Sequence, residues 1–554
     1  MSLPNFDSQG SLFGNITSLA PGLFSEVDRY KLFAQKIWPI LAGTRGQLES
    51  CYVATNGRAA FEPVVLLGTL ILQFLERAPD RQAADLVRYH LGWKLALNLE
   101  LGERGFHPTT LVTFRQRLLD NEQAKVAFDA VLQALQTEGL VPKRGKQRLD
   151  STHVLGLVAR LSKLECVRET LRLALEELAV VLPEAQRPDF WPLYWERYVE
   201  SKLDYKSTEL VLKQKQRQAG EDSWRLLRWL EPLPATVRNG RQVELLRRVF
   251  GEYYTTEAGD EITPVKEHAA GVVHNPHDPE AQWSAKGHGK ARHDWIGYKV
   301  QVAENIGPKP EAKAEPARNF LTSLVTQNAI ESDDAGLPAT LEAQRQSNLA
   351  APAELYVDGA YVCAAGLAQA QKEGRELIGP AQPSAHKAKG AGYWAEDFEV
   401  HVETRRALCP AGKENTQCSR LEEKEGGKVT YRFEWSTHCH DCPSRGQCVG
   451  EGQKHRTLVV GEHHTLLQQR RREQKTDAFR QRMHARNGIE GTQSELVRAH
   501  GLRRARYRGK AKLDLQIQFI GAACNIKRWL SVLAWETKMA IRAAAAVAGN
   551  LAPA

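Results

Sequence analysis

Three acidic residues stand in settings suited to shared chemistry. Asp150 lies in Gln147-Arg148-Leu149-Asp150-Ser151-Thr152, Asp358 in Leu355-Tyr356-Val357-Asp358-Gly359-Ala360-Tyr361, and Glu490 in Arg486-Asn487-Gly488-Ile489-Glu490-Gly491. The first two end short β-like runs, where a carboxylate beside apolar neighbours is costly to bury without a cation or a hydrogen-bonding partner. The third enters a helical stretch crowded with arginines. Two acids from strand ends and one from a helix can converge on a pair of divalent ions, which clamp the attacking and leaving oxygens of a phosphoryl displacement. Nuclease or strand-transfer chemistry is the reaction class such a set can serve. Asp358-Gly359 taken alone reads as a turn dipeptide; it is the order of the three acids and their surroundings that single them out.

Charge placement adds a second feature. The 554-residue chain has a formal net charge of +9 and a pI of about 9.0. Residues 481–530 hold 11 Lys/Arg against 3 Asp/Glu, so nearly the whole surplus surrounds Glu490. A concentrated patch of this kind neutralises phosphates and releases counterions, the footprint of nucleic-acid binding. Arg498, Arg503, Arg504, Arg506, Arg508 and Lys510 are the candidate DNA contacts, since guanidinium forks match phosphate oxygens. A solvated basic loop is the competing reading. Arg486 precedes Glu490 by one helical turn and shares its face if the helix runs through Gly488; it either holds the carboxylate or contacts the scissile strand. Further upstream, Arg115 and Arg117 read as phosphate contacts or as parts of a helical scaffold.

Nine cysteines occur, five of them between 409 and 448. Such clustering favours metal or redox chemistry over structural disulfides. Cys409, Cys439, Cys442 and Cys448 make a candidate tetrahedral thiolate set for a structural zinc, with Cys418 a rival to Cys409 and His438 or His440 able to replace a thiolate. His274, His277 and Asp278, in His274-Asn275-Pro276-His277-Asp278-Pro279, read as a plain loop in preference to a metal site. Gly287-His288-Gly289-Lys290 is a fragment of a phosphate loop without the full pattern, so no ATP dependence is expected.

The succession Asp150-Ser151-Thr152, Val357-Asp358-Gly359-Ala360-Tyr361, Arg486-x3-Glu490-Gly491 and then Gly501-Leu502-Arg503-Arg504-Ala505-Arg506-Tyr507-Arg508-Gly509 resembles the DDE transposases encoded by bacterial insertion sequences. The likeness extends to residues 61–67, 278–283 and 297–300. It implies that Asp150, Asp358 and Glu490 form a catalytic triad holding two Mg²⁺ (or Mn²⁺) ions. It also implies strand cleavage at terminal inverted repeats, strand transfer into target DNA, and a homodimer or larger assembly on DNA. The implied location is the bacterial cytoplasm, in association with the nucleoid. A nuclease that cuts without joining, and a defective or domesticated DNA-binding derivative, are the alternatives. One departure stands out. Many relatives embed the glutamate in Tyr-x2-Arg-x3-Glu-x6-Lys, whereas here Met483 and Val497 occupy the tyrosine and lysine positions, with Arg498 a stand-in for the lysine.

The elements that must position these residues are expected to form an α/β RNase H-like core, a mixed sheet with flanking helices. Strand-like runs fall at 146–152, 297–303, 320–326, 355–358 and 376–379, with helices at 336–346 and 364–372. In the implied fold the first and fourth strands are neighbours, which would unite Asp150 and Asp358. An N-terminal all-α domain spans 1–140, with Val64, Leu67, Ile71 and Phe74 on one helix face and Ala83, Leu86, Val87 and Leu91 in a second helix. A further helix, 111–118, takes Thr109 or Thr110 as its cap. The core comprises 141–156 and 260–381, interrupted by a helical insertion at 157–259. A β-rich, cysteine-containing insertion (382–465) precedes the catalytic helix, basic patch and helical tail (466–554), with a basic helix at 468–483 and a C-terminal helix from 517. No run of about 18 apolar residues and no secretory signal occurs, so a soluble cytoplasmic protein with no membrane partner is expected.

Overall fold

The computed structural model describes residues 2–3, 14, 16–53, 59–202, 207–256, 261–287, 289, 292–383, 392–423, 427 and 429–550, with 548–550 as backbone only. His288 and Lys290 of the phosphate-loop fragment lie outside the described residues. The fold is mixed α/β. Its strands are β1 (Lys146–Leu155), β2 (Tyr254–Thr256), β3 (Ile262–Pro264), β4 (Gln282–Lys286), β5 (His293–Asn305), β6 (Leu321–Asn328), β7 (Glu354–Tyr356), β8 (Glu376–Ile378), β9 (Glu399–His401), β10 (Arg406–Leu408), β11 (Gln417–Glu422), β12 (Val429–Glu434) and β13 (Thr457–Gly461).

One six-stranded mixed sheet forms the centre, in the order β4-β5-β1-β7-β8, with β6 also paired to β5. β5 runs antiparallel to β1, and β7 and β8 continue parallel to it. Side chains alternate across the pleat. On one face Val154, Tyr298, Val300 and Val302 join a core shared with the N-terminal helices and the C-terminal helix. On the other, Leu149 and Ala303 pack with Leu337, Leu355 and Tyr361. The helix Asp333–Gln346 covers this second face, and the helix Ala364–Lys372 links β7 to β8.

Packing reshapes several expected helices. The helix Pro63–Glu76 starts with proline in its first turn and Glu62 accepting from the Val64 N–H, and it ends at Arg77 in the left-handed region. Its residues from Pro63 to Phe74 are all buried, so it is a central helix and has no single apolar face. The second helix stops at Tyr89, and Leu91 opens a separate one, Leu91–Ala96, capped by His90 Nδ1 accepting from the Trp93 N–H. Thr109 is the first residue of the helix Thr109–Asp120 and caps nothing, as Pro108 holds the cap position. The expected basic helix at 468–483 is two helices, His464–Glu473 and Asp477–Met483. The break falls where the Thr476 hydroxyl accepts from the Phe479 N–H and starts the second helix.

The helices from Lys163 to Tyr253 enclose a core of their own, built on Leu171, Leu175, Leu178, Leu226 and Leu246. A capping box of Ser162 and Glu165 starts the first of them. The C-terminal helix, Lys510–Asn550, begins seven residues earlier than the apolar pattern at 517. Its exposed first N–H groups are met from another segment: Asp278 Oδ1 accepts from Gly509 N at 3.2 Å and Glu280 Oε2 from Lys510 N at 2.8 Å. Asp278 also accepts from the Tyr298 hydroxyl at 2.7 Å, and His277 Nε2 lies 2.7 Å from Glu169. Those contacts account for the His274–Asp278 segment as a structural loop. No helix among the described residues is long and apolar enough to cross a membrane.

Candidate active site

Asp150 sits in the middle of β1 and not at its end, because β1 continues to Leu155 against β5. The parallel ladder between β1 and β7 ends with Arg148 opposite Tyr356. Two residues onward along each chain stand Asp150 and Asp358, so the two carboxylates lie abreast where the strands part. β7 stops there for a local reason. Asp358 accepts from the Ala360 N–H at 2.8 Å and caps the short helical turn Gly359–Tyr361. Burial pushes the Asp150 carboxyl up to about 6; Arg486 and the Ser151 N–H oppose the rise, and the charge of Asp358 reinforces it.

Glu490 occupies the first turn of the helix Gly488–Arg498, which follows the 3-10 turn His484–Asn487 without a break in right-handed geometry. Arg486 in that turn reaches both ways: its Nη2 is 3.5 Å from Asp150 Oδ2 and its Nη1 is 3.6 Å from Glu490 Oε1. The arginine side chain is largely buried while Glu490 is 72% exposed, so the glutamate is free to turn inward. A guanidinium thus bridges two of three gathered acids, and its Nε has no hydrogen-bond partner. The donor set consists of hard carboxylate oxygens with too little positive charge among them, which fits divalent cations.

Sequence reasoning overlooked the residues behind this site. Lys286 is close enough to favour the ionised form of Asp150. Gln493 Nε2 donates to the Ser151 carbonyl at 3.1 Å. Arg148, Glu304, Thr492 and Arg528 form a buried polar cluster just beneath. A charged residue inside the apolar run 296–303 and its continuation would have been the signal for Glu304. The departures at 483 and 497 also gain an explanation. Met483 packs beside Tyr356, Ile378 and Phe479, and Val497 packs against the main core, so neither position faces open solvent.

The basic segment is tied directly to β1. Leu155 N donates to Arg503 O at 2.9 Å and Ala505 N to Leu155 O at 2.8 Å, fixing 503–505 beside the end of the strand that carries Asp150. Its arginines differ in freedom. Arg503 Nη1 donates to the His153 carbonyl at 2.7 Å. Arg506 stacks over the Phe74 ring at 4.7 Å, and burial pulls its pKa down. Arg498, Arg504 and Arg508 are exposed, and Lys510 is half-buried. Arg115 is buried against Asp80, which favours the scaffold reading for it, whereas Arg117 is half-buried, 4.7 Å over the Tyr52 ring. Replacing Arg504 and Arg508 together by alanine is expected to weaken DNA binding uniformly across sequences. The slope of log K against log salt should fall by about 2, read by fluorescence anisotropy at several salt concentrations. An unchanged slope would return these residues to the class of solvated surface charges.

Cys409, Cys439, Cys442 and Cys448 line one cavity of about 20 Å³, together with His438, Arg445 and Arg456. Arg456 N donates to Cys439 Sγ at 3.4 Å. Burial and the three neighbouring sulfurs push the Cys448 thiol up. Cys418 lies on β11 opposite Phe433, away from this lining. Among the described residues the group of three ligand-type side chains within 4.8 Å of one another is instead Glu495, His500 and Cys524. That group is no metal centre, because Glu495 is already paired with Lys527 at 2.8 Å and Arg528 at 2.9 Å. The four clustered thiols are chemically suited to zinc, although tetrahedral ligation would draw their sulfurs to about 3.8 Å apart.

Two acids abreast where β1 and β7 part, a third on a nearby helix and an arginine-rich segment bonded to the end of β1 are thus gathered in one region of the molecule. Residues 25–117 match the family described as Transposase domain (DUF772), and residues 408–530 match Transposase DDE domain. No curated protein matches the chain. The two matches together indicate a DDE-type transposase of the insertion-sequence type. The second match takes in Arg486, Glu490, the clustered cysteines and the basic segment; Asp150 and Asp358 fall outside both matches. Domains of this kind act on DNA and use divalent metal ions.

Proposed function

We propose that this transposase cleaves DNA at the terminal inverted repeats of its own element and joins the freed ends to target DNA, with Asp150, Asp358 and Glu490 as its catalytic acids. The observation that carries this is the β1–β7 register, which sets Asp150 abreast of Asp358, with Glu490 linked to Asp150 through Arg486. The reading treats the central sheet as RNase H-like, which the order β6-β5-β1-β7-β8, with β5 and β6 antiparallel, supports. On this reading residues 1–140 and 157–259 are appended helical units, and 382–465 is a β-rich insertion.

Two Mg²⁺ ions, held by the three acids, would neutralise charge at the attacking and leaving oxygens of each strand-cutting step. Asp150 must shed its proton to serve; burial, which pushes its carboxyl up to about 6 in the metal-free chain, opposes that, and a bound cation would favour it. Arg486 holds Asp150 and Glu490 in one group, and Arg504 and Arg508 hold backbone phosphates so that the reacting bond is presented in line. Joining two ends calls for two such sites, hence a dimer or larger assembly on DNA. The cysteine cavity is assigned a structural zinc. About one zinc per chain is expected by elemental analysis of protein purified without chelators, and a value near zero sinks that assignment.

The test is a cleavage and joining assay on DNA carrying the gene's own flanks, with wild type and Asp358→Ala, in Mg²⁺ and in Ca²⁺. Cuts at the repeat ends and joined products, lost in the variant and in Ca²⁺, are expected. Cutting without joining would favour a nuclease, and binding without cutting a DNA-binding derivative.

A further inference from the structure

The third acid sits on a helix whose own sequence holds it weakly. Gly488 and Gly491 flank Glu490, and both lower helix propensity. At 100° per residue, Thr492 lies roughly 200° around the helix from Glu490, so it faces inward while the glutamate stands on the exposed side beside Arg486. Ile489 and Leu496 are buried apolar anchors on this helix, but apolar contacts are non-directional and permit small rotations about its axis.

Directional contacts come from Glu304, a fully buried carboxylate on β5. The Thr492 hydroxyl donates to it, lying 2.8 Å from Oε1 and 2.7 Å from Oε2. Arg148 Nε donates to Glu304 Oε1 at 2.6 Å from the cross-strand position on β1, two residues before Asp150. The same arginine donates through Nη1 to the Ala485 carbonyl at 3.0 Å, gripping the turn that carries Arg486. From the far side Arg528 Nη1 donates to Glu304 Oε2 at 2.9 Å, and its Nη2 to Thr492 Oγ1 at 2.8 Å. The β5–β6 pairing shifts register between Ala303 and Glu304, the kind of irregularity that re-aims a side chain.

One buried carboxylate therefore bonds to the strand of the first acid, to the helix of the third and, through Arg148, to the turn between them. Ion pairs this deep contribute little net stability relative to apolar packing, and their best-attested use is to fix one arrangement among several. We infer that Glu304, acting through Thr492 and Arg148, is the positioning residue that sets the distance and facing of Glu490 relative to Asp150, and so the affinity of the three acids for divalent cations. This rests on the active-site reading above.

The test is Mn²⁺ titration of the full-length chain, following the free-ion signal by electron paramagnetic resonance, for wild type, Asp150→Asn, Thr492→Val, Thr492→Ser and Arg148→Lys. Thr492→Val keeps the side-chain shape and removes the hydroxyl. It is expected to weaken Mn²⁺ binding about tenfold and to raise the half-saturating Mg²⁺ for cleavage to match. Thr492→Ser should stay within about twofold of wild type, a rescue that a purely packing role would not give. Arg148→Lys keeps the charge but cannot serve Glu304 and Ala485 together, and it should show the same loss if Thr492→Val does not fold. Wild-type affinity in Thr492→Val or in folded Arg148→Lys, alongside Asp150-dependent binding in wild type, overturns the inference and leaves the active-site reading standing. No Mn²⁺ binding by wild type overturns both.

Discussion

Asp150→Asn is expected to abolish DNA cleavage and, at the same time, to make the metal-free protein more stable at pH 8. The loss of activity should be on the order of 10³-fold or more, the scale seen when one member of a cooperating catalytic group is removed. The gain in stability follows from the same feature. The Asp150 carboxyl titrates at about 6 in the folded chain, against about 3.9 for an unfolded aspartate. Because the folded pKa is the higher one, the folded state binds the proton more tightly. Its stabilising effect is complete below about pH 4 and is lost as pH rises through 6. Above that, ionising Asp150 costs the fold up to about 3 kcal/mol, an upper bound for a mostly buried group. Asparagine carries no charge and escapes this cost, so wild type and variant should melt together at pH 4 and apart at pH 8. Added Mg²⁺ should stabilise wild type at pH 8 and leave the variant unmoved. Equal melting temperatures at pH 8 without metal would mean that Asp150 is not under this strain.

The second large effect concerns Gly488, the first residue of the helix that carries Glu490. Ordinarily, Gly→Ala inside a helix stabilises by up to about 1 kcal/mol. At Gly488 a Cβ would stand 1.9 Å from Arg148 Nη1 and 2.3 Å from its Cζ. Arg148 cannot swing away cheaply, being buried and bonded to Glu304 and to the Ala485 carbonyl. Displacing it strips a partner from a fully buried carboxylate, so Gly488→Ala should destabilise by about 3 kcal/mol. Gly491 in the same helix has open space where its Cβ would be. Gly491→Ala should therefore stabilise, and guanidinium unfolding of the pair separates the two causes. If both variants gain stability equally, the Arg148 contact is not made.

Much of the local architecture was legible in the chain. The helix at 364–372 and the strand runs at 297–303, 320–326 and 376–379 follow from periodicity and from bounding turn residues, which act over a few positions. The pairing of the first and fourth strands was expected from resemblance, and the sheet contains it. The 63–76 helix is buried from Pro63 to Phe74 because neighbouring N-terminal helices and the C-terminal helix surround it; its almost unbroken apolar run was the signal for that, which the choice of a single face passed over. Thr109 missed its cap because Pro108 already occupied the position before the first turn.

The candidate site divides in the same way. Sequence by itself determined which acids and arginines exist, their order along the chain, and the concentration of positive charge around Glu490, since these need only residue identity. Only the tertiary structure decided which of them are available. Arg115 is committed to Asp80 and Arg506 to Phe74, while Arg504 and Arg508 are left exposed. It also placed Glu304, which reads as one more strand residue, at the junction of Arg148, Thr492 and Arg528. The physical reason is that burial and partnership belong to pairs of residues. For Glu304 those partners lie between 156 and 224 positions away along the chain, beyond any local pattern.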